Sequence, residues 1–218
     1  MTNEVVKFLY DTHYTEGKKV TFKKQGLNIA GLLFLPDNFD ENNKYPAIVV
    51  THPGGGVKEQ CSSLYGWNLA RKGYIALAFD ASHQGESEGE PRYIEDPTSR
   101  VEDIRSAVDY LVSLPYVDEE KIGAMGVCAG AGYTMSAIQT EYRIKAAAGI
   151  STWNTGHSAR FGNPGLYDED NLNKVLKAVA EQRTKEARGE EPLYVGYVPP
   201  TEEDFKNEYY GNNVIMRE

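Results

Sequence analysis

The chain has 218 residues, 40% hydrophobic and 25% charged, with a formal net charge of −9. Such a chain is long enough for one globular domain with a full core, and its acidity excludes nucleic acid and anionic membrane as electrostatic partners. No segment approaches the ~18 apolar residues of a membrane span, and neither Cys61 nor Cys128 belongs to a disulfide framework or a zinc-spaced cluster. A soluble, cytoplasmic protein acting on a small molecule is expected, with no metal and no cofactor.

Residues 1–17 are expected to be an N-terminal extension. From Lys18 to Leu35, short alternating runs flank Gln25-Gly26 and predict an antiparallel hairpin. Pro36 to Pro46 is polar and predicts a loop. Ala47 to Val50 is the short continuous apolar run of a strand buried on both faces, and it feeds directly into His52-Pro53-Gly54-Gly55-Gly56. Cys61, Leu64, Tyr65 and Leu69 follow helical spacing up to Gly73, with Cys61 on the buried face. Tyr74 to Phe79 is the next buried strand. The polar turn after it contains Asp80, Glu86 and Glu88, expected to be turn formers and surface charge, and His83, expected to be solvated or hydrogen-bonded locally. Ser99-Arg100-Val101-Glu102 has the pattern of a capping box opening a helix that Pro115 ends. Lys121 to Val127, Gly130 to Gln139 and Ile144 to Ile150 predict strand, helix and strand. Alternation of this kind builds a doubly wound, mostly parallel α/β sheet.

The turn between Val127 and Gly130 carries the chemistry. Gly126-Val127-Cys128-Ala129-Gly130 is G-x-C-x-G between a strand and a helix, the spacing of a nucleophile elbow. A sharp turn there strains the nucleophile's backbone, and glycines on either side allow close approach. Cys128 would stand at a helix N-terminus, where free N–H groups favour the thiolate. The bland alternative is a small buried cysteine in a glycine-rich turn.

These residues resemble the α/β-hydrolases, and among them the dienelactone-hydrolase-like branch with its cysteine nucleophile. Thr51 to Gly56 looks like that family's oxyanion loop and Asp80 to Gly89 like the turn after its next strand, so the resemblance covers roughly Lys18 to Ser151. It implies a hydrolase of esters, lactones or thioesters in which Cys128 attacks the carbonyl. The N–H groups of Gly54 and Ala129 would hold the oxyanion, with Gly55 an alternative to Gly54. Where the family places a glutamate beside the thiol, this chain has Pro53.

The family's order of nucleophile, acid and histidine is not completed. His157 is the one histidine after Cys128 and lies earlier than the family position, so it is the candidate base by elimination. The last sheet strands are not found in the sequence. Truncation, natural loss of catalysis and completion by another chain all fit, and a hydrolase-fold binding protein or a fragment is the alternative function. Residues 152–218 are expected to form a cap-like segment around a helix from Asn171 to Arg188, with Thr201 to Tyr210 as a further short helix. Trp153, Phe161 and Tyr167 would line an acyl pocket or be ordinary core. An open sheet edge or the cap helix would offer a homo-oligomer contact.

Overall fold

The computed structural model describes residues 16–161 and 169–194. The predicted helix at 201–210, nearly all of the N-terminal extension, and Tyr167 lie outside them. The chain divides into two compact units, residues 1–159 and 160–218.

In the first unit β1 (Lys18–Lys24) and β2 (Leu27–Phe34) form the expected hairpin, with Lys24 opposite Leu27. Its two turn residues, Gln25 and Gly26, both have positive φ, 48° and 93°. That is the turn whose twist matches a two-residue hairpin. β3 (Tyr45–Thr51), α1 (Cys61–Ala70), β4 (Ile75–Phe79), α2 (Pro97–Ser113), β5 (Val117–Val127), α3 (Ala129–Ala137) and β6 (Ile144–Ile150) follow in the predicted alternation. The strand order is β1-β2-β4-β3-β5-β6. β2 pairs antiparallel with β1 and β4, and the pairs β3/β4, β3/β5 and β5/β6 are parallel. This is the mostly parallel α/β-hydrolase sheet with an N-terminal antiparallel hairpin.

Two cores lie on the two faces of the sheet because side chains alternate along buried strands. In β4, Ile75, Leu77 and Phe79 join Ile104, Val108 and Leu111 of α2 on one face. Ala76 and Ala78 join Phe34, Val50 and Ala70 on the other. The second face is built of small residues, so α1 approaches closely, and a Cβ on Gly66 would fall 2.9 Å from the Phe34 ring. Among the described residues β6 has β5 as its only sheet partner, and Lys145 to Gly149 are exposed.

β5 starts at Val117 rather than at the predicted Lys121, and α2 also starts earlier than predicted. The N-cap of α2 is Asp96, whose side chain accepts from Thr98 N–H at 2.9 Å, with Pro97 in the first turn. Ser99 instead turns its hydroxyl to the buried Lys24 ammonium, 2.7 Å away. The helix begins earlier because Pro at the first helical position costs no hydrogen bond.

α4 (Thr155–Phe161) was not predicted; it is a single short helix with no buried residue. In the second unit α5 (Glu169–Ala187) ends in a left-handed Gly189, φ 95°. Val175, Leu176 and Val179 on it are 42–57% exposed. No helix among the described residues is long and apolar enough to cross a membrane.

Candidate active site

β3 and β5 are neighbours, with Thr51 opposite Gly126, while the chain leaves β3 towards β4 on the other side. The crevice at the carboxyl ends of these strands is therefore the point where the strand order reverses, the usual location of a ligand site in an open α/β sheet. The loop after β3 and the turn after β5 both open into it.

Cys128 has φ 55° and ψ −120°. A left-handed φ at a non-glycine residue costs on the order of 1–3 kcal/mol and persists only where the surroundings impose it. Here they do. Cys128 N–H donates to Ile150 C=O at 2.9 Å, and its own C=O accepts from Ala131, Gly132 and Trp153 N–H at 3.0–3.3 Å. The glycines of the motif are needed for the same reason. A Cβ on Gly126 would fall 2.4 Å from Gly130 C=O, one on Gly130 would fall 2.3 Å from His52 C=O, and one on Gly132 would fall 2.3 Å from Trp153 C=O. The first turn of α3 is thus pressed against the end of β3 and the segment after β6. Among the described residues, Ala129 N–H donates to nothing.

The loop after β3 is fixed from beneath by a buried imidazole. His52 is 0% exposed, and its Nε2 lies 3.0 Å from Ala81 N–H and 2.9 Å from an Arg100 amino group. Nε2 therefore accepts, and the proton resides on Nδ1, which donates to Pro53 C=O at 2.6 Å. Burial first, and the Arg100 charge second, push the His52 pKa down to about 3. It is a neutral structural group that packs the loop from within.

Pro53 C=O also accepts from Gly56 N–H. In the trans peptide the following N–H points opposite to the carbonyl, so Gly54 N–H faces away from His52, and among the described residues it donates to nothing. Gly55 N–H is engaged by Glu95 Oε2 at 3.3 Å. Of the two glycine amides considered for the oxyanion, Gly54 is the open one.

Arg100, Glu95 and Tyr133 are the polar residues at this crevice that sequence reasoning missed. Arg100, 2% exposed, reaches His52 C=O at 2.6 Å, stacks over the Tyr133 ring at 5.1 Å, and has its Nε 3.5 Å from Glu95 Oε1. Tyr133 donates its hydroxyl to Glu95 Oε1 at 2.9 Å. Burial, with the Glu95 charge beside it, holds the Tyr133 phenol above its ordinary range, so it stays a donor.

The remaining candidates are distributed as follows. Cys61, expected on a buried face, is half-buried at the start of α1. Burial pushes its thiol pKa up, with a smaller contribution from the charge of Cys128. His157 is exposed on α4, and its backbone N–H is capped by Asn154 Oδ1 at 2.9 Å. His83 has φ 71° and its Nδ1 lies 3.1 Å from Pro91 C=O. Trp153 adjoins the elbow through its backbone, and Phe161 lies under the Arg160 guanidinium in the second unit. Asp80 is a correction: it is fully buried, not surface charge, and is bound by Lys58 Nζ and Lys58 N–H, each at 2.7 Å. No group of three or more His, Cys, Asp or Glu side chains among the described residues has the arrangement of a metal site.

Residues 29–159 match the sequence profile of the dienelactone hydrolase family. The chain is 42% identical to the uncharacterized protein YcjY of Escherichia coli K12, over 87% of this chain and 63% of that one. It superposes on the crystal structure of hypothetical protein PA2218 from Pseudomonas aeruginosa with a TM-score of 0.78 and 35% identity, covering 83% of this chain and 56% of the other. The α/β-hydrolase GrgF from Penicillium sp. gives a TM-score of 0.70 at 26% identity, with 86% and 60% coverage. The chain thus spans less than two-thirds of the length of each of these relatives.

Proposed function

Since the chain belongs to the dienelactone hydrolase family, we propose that Cys128 is the nucleophile of an acyl-transfer site acting on a carboxylic ester, lactone or thioester. The observation that carries this reading is the left-handed backbone of Cys128 between β5 and α3, held by backbone groups on both sides. Stored strain of this kind lifts a side chain out of the turn towards the crevice. Sulfur attacks the carbonyl carbon, the C=O π electrons move to oxygen, and the N–H groups of Gly54 and Ala129 stabilise that oxyanion. Each such donor contributes about 2.7–4 kcal/mol. Collapse of the adduct expels the alkoxide or thiolate and leaves an acyl-cysteine, which water hydrolyses. The name polyketide transferase given to GrgF supports an acyl substrate.

The test is the reaction of the 218-residue chain with p-nitrophenyl acetate, an ester whose leaving group needs no acid. Wild type is expected to release one equivalent of p-nitrophenolate rapidly and to carry the acetyl group on Cys128 by peptide mapping. Cys128→Ala should give no burst, whereas Cys61→Ala should keep it. Acetylation at Cys61 instead, or no burst from wild type, would overturn the reading.

The same assay addresses His157. A general base contributes about 10²–10⁴-fold, yet His157 is exposed on a helix with no buried residue. We expect His157→Ala to slow the burst by less than about threefold. A loss of a hundredfold would make it the base.

A further inference from the structure

The oxyanion loop is held from beneath by His52, but its outer glycine is not packed at all. Gly55 has φ +65°, is exposed, and a Cβ built on it would meet nothing within 4 Å. Backbone of this kind needs a tether, because glycine has the largest conformational freedom to lose. The tether present is Glu95, which takes Gly55 N–H at 3.3 Å.

Glu95 is itself firmly placed. It immediately precedes Asp96, the N-cap of α2, and its carboxylate collects donors from three other segments. Oε2 takes the Gln84 amide at 2.8 Å, Oε1 takes the Tyr133 hydroxyl at 2.9 Å, and Arg100 Nε is 3.5 Å from Oε1. Tyr133 belongs to α3, the helix whose first turn supplies Ala129. One carboxylate therefore ties the loop carrying Gly54 to the helix carrying Ala129.

A carboxylate beside a developing oxyanion would oppose it by charge, since like charges at close range raise the energy of both. Arg100, 2% exposed and beside a neutral His52, offsets that charge. With its charge balanced, Glu95 can hold the loop without working against the reaction.

We infer that Glu95 is a positioning residue for the oxyanion hole: by holding Gly55 it sets where Gly54 N–H stands relative to Ala129 N–H. This rests on the acyl-transfer reading of Cys128. It predicts a separation between two reactions of one thiol. Acetylation by p-nitrophenyl acetate passes through an oxyanion, whereas alkylation by iodoacetamide displaces iodide and forms none.

The experiment measures both rate constants at Cys128 by peptide mapping in wild type, Glu95→Ala and Glu95→Gln. Glu95→Ala is expected to slow acetylation by about 10–100-fold, up to the loss of one oxyanion donor, with alkylation unchanged within about twofold. Glu95→Gln keeps an acceptor for Gly55 and should recover most of the loss. Should the alanine variant fail to fold, Glu95→Met, of similar length but with no oxygen to accept from Gly55 N–H, carries the comparison, with acetylation slowed by more than alkylation as the expected result. Equal slowing of both reactions would mean that Glu95 acts on the thiol or on the fold, and no slowing of either would mean that the loop needs no tether. Both results overturn the inference. A wild-type chain that is alkylated but never acetylated overturns the acyl-transfer reading and the positioning role with it.

Discussion

Replacing Lys58 by methionine is expected to cost about 3–5 kcal/mol of stability, the usual penalty for leaving one member of a buried ion pair without its partner. Asp80 is 0% exposed and Lys58 1%, and their charged atoms meet at 2.7 Å. Burial works against the Lys58 ammonium, but hydrogen bonds to Asp80, Glu59 and Glu86 outweigh it and hold its pKa above the ordinary value. Methionine fills similar space and removes only the charge and donors. Among the described residues, the Asp80 carboxylate would then keep only Lys58 N–H and Glu86 N–H, at 2.7 and 2.9 Å.

Adding Asp80→Asn to Lys58→Met removes the stranded charge, so the double variant should be more stable than Lys58→Met alone. A coupling of about 2 kcal/mol is expected in the cycle. Urea unfolding of wild type, both single variants and the double variant measures this. A cost below about 1 kcal/mol for Lys58→Met would mean that Asp80 escapes its charge by protonation or hydration. The pair also matters to the crevice, because the next residue, Ala81, donates its N–H to His52.

The extent to which this site was legible in the sequence follows from the range over which each feature is determined. The elbow was legible because its demands are local: strand, Gly126, Cys128, Gly130 and helix lie within a few residues of one another, and the glycines are required by backbone atoms of the turn and its neighbours. The hairpin was legible because Gln25-Gly26 determines its own turn. β6 was legible to its ends, Ile144 and Ile150, because its composition is that of a strand within a parallel sheet, although in the described structure its central residues are exposed.

The polar network was not legible. Arg100 stands in the first turn of a helix, where a charged residue usually faces water, and its partner His52 is 48 positions away in the chain. Only the sheet order brings β3 and α2 together. Asp80 failed for a similar reason, since in a loop of glycines, serines and glutamates a carboxylate ordinarily belongs to the surface. The start of α2 was a missed local signal: Asp96-Pro97 is a cap followed by proline at the first helical position, a stronger start than Ser99. α4 was missed because seven residues without a buried face leave no periodicity to detect.

Acid is expected to destabilise the chain through His52 well before most carboxylates protonate. Its pKa is about 3 in the folded state and about 6.5 in an unfolded chain. Between those values the unfolded state binds a proton that the folded state does not, so stability falls as pH falls, starting near 6.5 and continuing towards 3. Each unit is worth about 1.4 kcal/mol, which gives a loss of about 3 kcal/mol between pH 7 and pH 4 from this residue alone. The physical cause is that protonating Nε2 would set a second positive charge against the buried Arg100 and turn the acceptor of Ala81 N–H into a donor. His52→Gln retains a hydrogen-bonding side chain but has no proton to bind. It should be less stable than wild type at pH 7 yet lose about 3 kcal/mol less on going to pH 4, the two curves converging as the pH drops. Urea midpoints measured at half-unit steps from pH 7 to pH 4 would show this, and parallel curves would overturn the neutral, proton-excluding role of His52. The consequence for the crevice is direct: the group that orients Pro53 C=O, and hence Gly54 N–H, is the same group whose protonation the fold must exclude.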